Sequence, residues 1–151
     1  MLFFSIALFI AALYQVLIYL VNKHMVLGHS LPLLGNFIKL TFVRYTGAAF
    51  SLFVGFSPYL TIIGLLIAAA VIYWHYRIPA DDHFAQAALA FVLGGSLGNL
   101  LDRLLRSYVI DYIDLSIWPV FNLADILINV GVMLLAVKLL TKDSKDVSDP
   151  V

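Results

Sequence analysis

Residues 2–21 read LFFSIALFIAALYQVLIYLV, an apolar run that contains no charged side chain. A bilayer core about 30 Å thick requires roughly 20 apolar residues in an α-helix that rises about 1.5 Å per residue. A cleaved signal peptide has instead a basic N-terminal region, a shorter apolar core and a small-x-small cleavage site, and the run has none of these. The sequence therefore predicts a retained transmembrane helix over about residues 2–21.

Three further apolar runs predict three more transmembrane helices, at about residues 58–76, 83–105 and 120–140. Backbone polar groups in lipid must be satisfied within the protein, so helices are the assignment that fits these runs. We expect a single domain over residues 1–151, an all-α integral membrane protein with a polar, disordered tail at 141–151. Because four spans return the chain to its starting side, both termini are expected on one side of the membrane.

The composition agrees with a membrane protein and excludes several other classes. Hydrophobic residues make up 63% of the chain and charged residues 12%, against roughly 45–50% and about 25% in soluble globular domains. Disorder of the whole chain requires low hydrophobicity and high net charge, whereas the net charge here is zero. A neutral chain gives no indication of nucleic-acid binding. The absence of Cys excludes disulfides, thiolate metal sites and a Cys nucleophile.

The connection between the first two spans, residues 22–57, is long for a structureless loop. Residues 39–45 read KLTFVRY and alternate in the manner of a β-strand, and residues 47–53 read GAAFSLF. Because β-branched and aromatic residues favour strands, we expect a small sheet from this loop at the membrane surface. Lys and Arg are nearly balanced between the two sides, so the positive-inside rule leaves the orientation open.

Polar side chains collect at the facing ends of the third and fourth spans and in the connection between them. A charge near the bilayer centre costs roughly 2.5–3.5 kcal/mol, so such residues indicate a functional site. Asn99 and Asp102 are three residues apart and share a helix face, as do Asn122 and Asp125. The full set on this side of the membrane is Asn99, Asp102, Arg103, Asp111, Asp114, Asn122 and Asp125.

Asp111 and Asp125 are joined by a short connection that contains Trp118 and Pro119, so the chain can fold back and bring the two carboxylates together. Two carboxylates close together in a partly dry site share one proton, because ionising both is costly. In aspartic-type hydrolysis, the ionised member takes a proton from water while the protonated member polarises the scissile carbonyl. The four His residues are scattered, and none lies beside a Ser in a recognisable motif.

Spacing alone leaves other interpretations of these residues open. Asp102 beside Arg103 is typical of a structural ion pair, and Asp114 is typical of a solvated loop residue. Asp125 is placed as a charge that the dipole of a helix N-terminus favours. A Mg²⁺ site formed by Asp111, Asp114 and Asp125 is a further alternative. Such sites in lipid head-group transferases have more acidic residues, and few Lys or Arg are present here to bind a substrate phosphate, so we expect no metal.

Motifs in this region resemble those of the lipoprotein signal peptidases, also called signal peptidase II. The chain has GGSLGNLLDR at 94–103, YVIDYID at 108–114 and PVFNLAD at 119–125. The family pattern is GNxxDR, VVDF and FNxAD, in that order. The segment VRYTGAAFS at 43–51 is similar to the family's NxGAAF element. The resemblance covers nearly the whole chain.

The resemblance implies a membrane-embedded aspartic endopeptidase that removes signal peptides from bacterial prolipoproteins. Family members cut just before a Cys that carries diacylglycerol, and no cofactor or metal is implied. By motif position the catalytic dyad is Asp111 and Asp125. The residues that the resemblance assigns to orienting the dyad and the substrate are Asn99, Asp102, Arg103, Asn122, Tyr45 and Gly47.

The resemblance also implies a location and a set of partners. The location is the bacterial cytoplasmic (inner) membrane, with both termini in the cytoplasm and the active site near the outer leaflet. The sheet expected in the first loop then corresponds to an extracytoplasmic β-cradle. The implied partners are lipidated prolipoproteins, membrane lipid and the cyclic peptide antibiotic globomycin, which inhibits the family by occupying the site. No nucleic acid is expected, and the chain is expected to act as a monomer.

Two departures from the family pattern bear on activity. Tyr45 stands where the loop motif has Asn, and the first helix has Tyr14, Gln15 and Ile18 where the family has DQxxK. Losing both charged members together removes an ion pair without leaving an orphan charge in lipid. The departures motivate one alternative, a catalytically silent relative that binds lipidated peptides or serves as a structural membrane subunit. The other alternative, a small channel or proton-coupled carrier, is disfavoured because the first two spans have almost no polar residues.

Overall fold

The computed structural model describes residues 2–45 and 57–146, and within these ranges it has four α-helices and three β-strands. The helices are α1 Leu2–His24, α2 Ser57–Arg77, α3 His83–Arg106 and α4 Leu123–Asp146. The strands are β1 Ser30–Leu34, β2 Ile38–Tyr45 and β3 Val109–Asp114. Each helix contains a segment long and apolar enough to cross a membrane. This confirms the predicted fold class, a bundle of transmembrane helices with a small sheet.

α3 is the central helix of the bundle. In its most apolar segment 72% of the residues are buried, against 28% in α1 and 11% in both α2 and α4. Glycines allow its neighbours to approach closely. A Cβ added at Gly94 would lie 2.7 Å from Ile10 Cβ on α1, and one added at Gly95 would lie 2.6 Å from the carbonyl O of Ala124 on α4. Glycine is therefore required at both positions to hold α1 and α4 against α3.

The sheet is antiparallel, with strand order β1-β2-β3. The prediction derived it from the first loop, and β1 and β2 do come from that loop, but β3 comes from the connection between α3 and α4. β3 pairs along β2, with Val43 opposite Asp111 and Lys39 opposite Asp114. The connection predicted as a loop is therefore a strand, because its backbone bonds to a segment distant in the chain. Residues 47–53, expected in the same sheet, lie outside the described residues.

The sheet is attached to the bundle by a buried apolar cluster. Phe42 from β2 and Ile110 from β3 pack there against side chains of α1 and α4. The fully or almost fully buried members are Tyr14, Ile18, Phe42, Ile110, Tyr112 and Ala124. This packing fixes the position of β3 against the beginning of α4, which is where the polar residues lie.

α4 begins later than the predicted span at 120–140. Phe121 is held in extended backbone by two hydrogen bonds with Ile113, one from Phe121 N–H to Ile113 O at 3.0 Å and one from Ile113 N–H to Phe121 O at 2.8 Å. Because this bridge continues the edge of the sheet, the helix starts only at Leu123. Asn122 therefore lies between the bridge at Phe121 and the first residue of α4, Leu123.

The other end of α4 extends into the segment predicted as a polar tail, 141–151. The helix continues through Asp146, because no Pro or Gly interrupts the sequence before Pro150. Nearby, Lys138 forms an ion pair with Asp82, the residue that caps α3. Residues 147–151 lie outside the described part of the chain.

Candidate functional site

The first turn of α4 has a reciprocal capping arrangement. Asn122 Oδ1 accepts a hydrogen bond from the Asp125 N–H at 3.0 Å, and Asp125 Oδ2 accepts one from the Asn122 N–H at 3.2 Å. These are the N-cap and N3 positions of a capping box, here occupied by Asn and Asp. The segment FNLAD therefore fixes the carboxylate of Asp125 at the start of the helix and leaves its Oδ1 available to partners on other elements.

Asp111 reaches the same place from β3. It is 7% exposed, and its Oδ1 accepts a hydrogen bond of 2.6 Å from Asn122 Nδ2. Residues three apart in a strand face opposite sides of the sheet, so Asp114 lies on the other face. There it accepts hydrogen bonds from the Thr41 hydroxyl and the Ser116 N–H, both at 2.7 Å. The strand thus brings Asp111 to the start of α4 and takes Asp114 away from it.

This separation also argues against the Mg²⁺ alternative, which needed Asp111, Asp114 and Asp125 to converge. Among the side chains that the structure describes, those of residues 2–45 and 58–141, no group of three or more His, Asp or Glu is arranged to hold a metal ion. The hydrogen bonds from Thr41 and Ser116 hold the pKa of Asp114 below its ordinary value. Asp114 is therefore a charged residue that ties the sheet to the neighbouring loop.

Asn99 on α3 links the two carboxylates to the helix bundle. Its Nδ2 donates to Asp125 Oδ1 at 2.8 Å, and its Oδ1 accepts from Asn122 Nδ2 at 3.1 Å. The amide group of Asn122 has two protons, and these go to Asn99 and Asp111. Asn122 is fully buried, so water does not compete for these bonds. Asn99, Asn122 and the two carboxylates therefore form one connected network with Asn122 at its centre.

Asp102 is fully buried beside this network. Its two oxygens accept hydrogen bonds from two other elements of the fold, α1 and β3, and from its own helix. The donors among the described residues are Tyr14 Oη at 3.0 Å, Gln15 Nε2 at 3.2 Å, the Ile110 N–H at 3.2 Å and Arg106 Nη1 at 2.5 Å. Such a carboxylate is saturated with donors, and it joins α1, α3 and β3.

The ion-pair interpretation of Asp102 is correct in kind but wrong in its partner. The partner is Arg106 rather than Arg103. Adjacent residues of a helix point in directions about 100° apart, whereas residues four apart lie one above the other. Arg106 Nη1 also donates to Gln15 Oε1 at 3.1 Å. Arg106, and not Arg103, is therefore the ion-pair partner of Asp102.

Arg103 and Tyr45 face a cavity of about 710 Å³ beside the two carboxylates. Arg103 Nη1 donates to the carbonyl O of Asn99 at 3.3 Å. Burial and the charge of Asp111 raise the pKa of the Tyr45 phenol, so its hydroxyl stays protonated. The polar wall of the cavity consists of Tyr45, Asn99, Arg103, Asp111, Asp125 and Asn129. Gly47, the remaining residue assigned to the site from sequence, lies outside the described residues.

The carboxyl group of Asp111 is hard to ionise. Burial, together with the charge of Asp125, raises the pKa of Asp111 to about 7. The hydrogen bond from Asn122 and the charge of Arg103 act in the opposite direction but are outweighed. Asp125, by contrast, accepts hydrogen bonds from two N–H donors, the side chain of Asn99 and the backbone of Asn122. The two neighbouring carboxyl groups therefore differ in the hydrogen-bond donors that the described residues supply to them.

Several polar contacts of the site are not evident from the motifs. Gln15 and Tyr14 approach Asp102 from α1, and Asn129 donates from its Nδ2 to the carbonyl O of Asp125 at 2.8 Å. Two signals in the sequence point to Gln15 and Asn129. Gln15 is a polar residue in the middle of an apolar span, and Asn129 is four residues after Asp125, on the same helix face.

Known proteins resemble this chain over most of its length. Residues 6–141 match the family model described as Signal peptidase (SPase) II. The chain is 38% identical over 148 residues to the lipoprotein signal peptidase of Moorella thermoacetica, covering 98% of this chain and 99% of that protein. It is 36% identical over 149 residues to the lipoprotein signal peptidase of Bacillus subtilis, covering 96% and 97%.

A solved structure described as a bacterial membrane enzyme, determined by the in meso method, superposes with a TM-score of 0.90. It is 31% identical in sequence, over 99% of this chain and 93% of that chain. A second bacterial membrane enzyme structure has a TM-score of 0.83 and 32% identity, over 91% and 92% of the two chains. The similarity in sequence and the similarity in fold therefore extend over the same region, which includes the polar network.

Proposed function

Because the chain belongs to the signal peptidase II family, the membrane peptidases that process the signal peptides of prolipoproteins, we propose that it is an aspartic endopeptidase with Asp111 and Asp125 as its catalytic residues. The proposed substrates are diacylglyceryl-modified bacterial prolipoproteins, cut just before the lipidated Cys. One observation carries the proposal. Two carboxylates from different elements share Asn122 as a hydrogen-bond partner at the wall of a cavity.

The proposed reaction uses the two carboxylates in different protonation states. Asp125 is ionised and takes a proton from a water molecule, whose oxygen attacks the scissile carbonyl carbon. Asp111 donates its proton to the carbonyl oxygen as the tetrahedral intermediate forms. When the intermediate collapses, the C–N bond breaks, the leaving amine takes the proton from Asp125, and Asp111 recovers its own. The raised pKa of Asp111 supports its assignment as the acid, because a carboxyl group with a pKa of about 7 still carries a proton near neutrality.

The shape of the cavity fits a lipidated peptide. One wall is polar and includes Asp111, Asp125 and Arg103, whereas the wall farther along α4 is apolar. Val130 and Met133 on this wall are 36% and 66% exposed, so the apolar side is open toward the lipid. We propose that the peptide backbone lies against the polar wall while the acyl chains lie along α4. Globomycin-type inhibitors are proposed to occupy the same cavity.

The location of the site relative to the membrane is part of the proposal. The sheet, the end of α3 and the start of α4 lie at one end of the bundle, and the beginning of α1 lies at the other. We propose that the sheet end is extracytoplasmic, that the dyad lies near the outer leaflet of the cytoplasmic membrane, and that both termini are cytoplasmic. The chain is proposed to act as a monomer, because one chain supplies both carboxylates and the cavity.

The proposal is tested with purified protein in detergent and a diacylglyceryl-modified precursor. The wild type is expected to cut it, and Asp111→Asn and Asp125→Asn are expected to lower the rate by about a thousandfold or more, since the base or the acid is removed while the shape is kept. Asp114→Asn is the matched control, because it changes a carboxylate of the same strand on the other face of the sheet. It is expected to cut at the wild-type rate.

Two outcomes contradict different parts of the proposal. A wild type that binds the lipidated precursor but leaves it uncut would favour the catalytically silent alternative. A dyad variant that retains full activity would exclude that residue as catalytic. For the topology, single Cys residues at Ser30 and Ser116 are expected to react with an impermeant maleimide on intact cells, which is a clean test because the chain has no Cys of its own.

A further inference from the structure

We infer that Tyr14 is a positioning residue of the peptidase, which fixes the orientation of the Asn99 side chain and thereby its hydrogen bond to Asp125. The inference rests on the proposed function, since it concerns the same pair of carboxylates. Tyr14 is on α1, a membrane-spanning helix, and its side chain is fully buried. A buried hydroxyl in such an environment is costly without hydrogen-bond partners.

The Tyr14 hydroxyl lies between two acceptors on α3. It is 3.2 Å from Asn99 Oδ1 and 3.0 Å from Asp102 Oδ2, so its single proton is shared between them. Asp102 has three other donors among the described residues. Among the described residues, Asn99 Oδ1 has one other hydrogen-bond donor, Asn122 Nδ2. Losing the hydroxyl therefore changes the bonding of Asn99 more than that of Asp102.

The consequence for the dyad follows from the shape of an Asn side chain. The oxygen and nitrogen ends of its amide are nearly equal in size, so hydrogen bonds decide which end faces a given neighbour. Two donors, Tyr14 Oη and Asn122 Nδ2, converge on the oxygen of Asn99. The nitrogen is thereby directed to Asp125 Oδ1, 2.8 Å away. With the amide reversed, an oxygen would face the carboxylate, and repulsion would replace the hydrogen bond.

The position of the Tyr14 ring depends on the residue that precedes Asn99. A Cβ added at Gly98 would lie 2.8 Å from Tyr14 Cδ1 and 3.0 Å from Cγ. The ring packs directly against this glycine, and this contact brings the hydroxyl level with Asn99. Two different substitutions therefore disturb the same hydrogen bond. Tyr14→Phe removes the hydroxyl and keeps the ring, whereas Gly98→Ala keeps the hydroxyl and displaces the ring.

Both variants are assayed with the diacylglyceryl-modified precursor in detergent, beside the wild type. Each is expected to lower kcat by about three- to tenfold, the range of one neutral hydrogen bond, with KM unchanged because Tyr14 does not line the cavity. Tyr19→Phe is the matched control, since Tyr19 is on the same helix and is 58% exposed. It is expected to leave both constants unchanged.

The outcomes separate this inference from the proposed function. A wild type that does not cut the precursor contradicts the proposed function, whereas the ratio of variant to wild type tests the role of Tyr14. Melting temperatures identify a merely structural role, which would lower stability without changing the kcat of the folded protein. Unchanged kcat in folded Tyr14→Phe and Gly98→Ala would overturn the inference. An equal loss of kcat in Gln15→Leu would do the same. This variant removes a donor to Asp102 and an acceptor of Arg106 but keeps both described donors to Asn99 Oδ1, so the loss would show that the effect passes through Asp102.

Discussion

Two regions at the same end of the bundle each contain buried carboxylates, and they differ in how the carboxylates are bonded. Asp102 is fully buried, accepts hydrogen bonds from α1 and β3, and forms an ion pair with Arg106. Asp111 is almost as buried, and it faces a cavity. Among the described residues, its side chain accepts a hydrogen bond from Asn122. Asp102 is saturated with donors, whereas burial of Asp111 with few donors raises the pKa of its carboxyl group to about 7. Burial alone therefore does not distinguish a structural carboxylate from a reactive one.

The largest effect on stability is expected for Asp102→Ala. The substitution leaves Arg106 and the donors from α1 without their acceptor, so the free energy of unfolding is expected to fall by about 3–5 kcal/mol. The measurement is an unfolding titration with SDS in mixed micelles. Asp81→Ala, in the exposed turn between α2 and α3, is the control and is expected to change stability by less than about 0.5 kcal/mol. Unchanged stability of Asp102→Ala would show that the hydrogen bonds around Asp102 do not stabilise the fold, contrary to the comparison with Asp111.

The next largest effect is expected for Asn122→Ala, which removes the centre of the network. Asp111 loses its donor and Asn99 loses one of the two donors to its oxygen, so kcat is expected to fall about a hundredfold. Single-turnover cleavage of the lipidated precursor measures this loss. Asn22→Ala is the matched control, because Asn22 bonds Arg44 on the exposed surface. A loss of tenfold or less in Asn122→Ala would mean that the carboxylates are held in place without it.

The pH dependence of cleavage reports on Asp111 directly. Because the pKa of Asp111 is raised to about 7, cleavage is expected to fall above pH 7, approaching about tenfold per pH unit. The stability has a related trend. The ordinary pKa is 3.8, so the folded protein holds this proton to higher pH than the unfolded chain does. The contribution of Asp111 to stability is therefore full below about pH 4 and is lost as the pH rises through about 7.

The control for this pH dependence is Asp111→Asn, in which the trend in stability is expected to disappear. Melting temperatures between pH 4 and 9 measure it, and kcat between pH 5 and 9 measures the activity of the wild type. Constant activity from pH 7 to 9 would contradict the assignment of Asp111 as the acid. A decline that persists unchanged in Asp114→Asn would support the assignment, because Asp114 lies on the other face of the sheet.

The smallest effect is expected for Thr41→Val, which removes the hydrogen bond from Thr41 to Asp114 at 2.7 Å. This bond lies partly exposed on the sheet, so stability is expected to fall by about 0.5–1 kcal/mol. Cleavage of the precursor is expected to be unchanged, since neither residue lines the cavity. A marked loss of kcat would show that the far face of the sheet is coupled to the dyad.

The helices could be predicted from sequence because each is a local property. An apolar run of about 20 residues has to be helical in lipid, whatever surrounds it. The boundaries were less accurate. The start of α4 at Leu123 depends on the bridge between Phe121 and Ile113, which two separate segments make together. No local pattern contains that information.

The candidate site shows the same division. Motif spacing placed Asn99, Asn122 and the two carboxylates on one side of the membrane, and the structure brings these side chains into one network. The prediction paired Asp102 with the adjacent Arg103, although the spacing of four residues on a helix points to Arg106. It also gave no reason for the pairing of Tyr14 with Asn99, because that contact joins two helices far apart in the chain.

The sequence by itself determined the membrane environment, the helices and the candidate pair of aspartates, because hydrophobic run length and motif order are written along the chain. Only the tertiary structure decided that β3 completes the sheet, that Asp111 and Asp114 face opposite sides, and that Asp102 is saturated while Asp111 is not. The physical reason is that the chemistry of a carboxylate depends on the donors around it. Those donors come from α1, α3, β3 and the start of α4, which only the folded chain brings together.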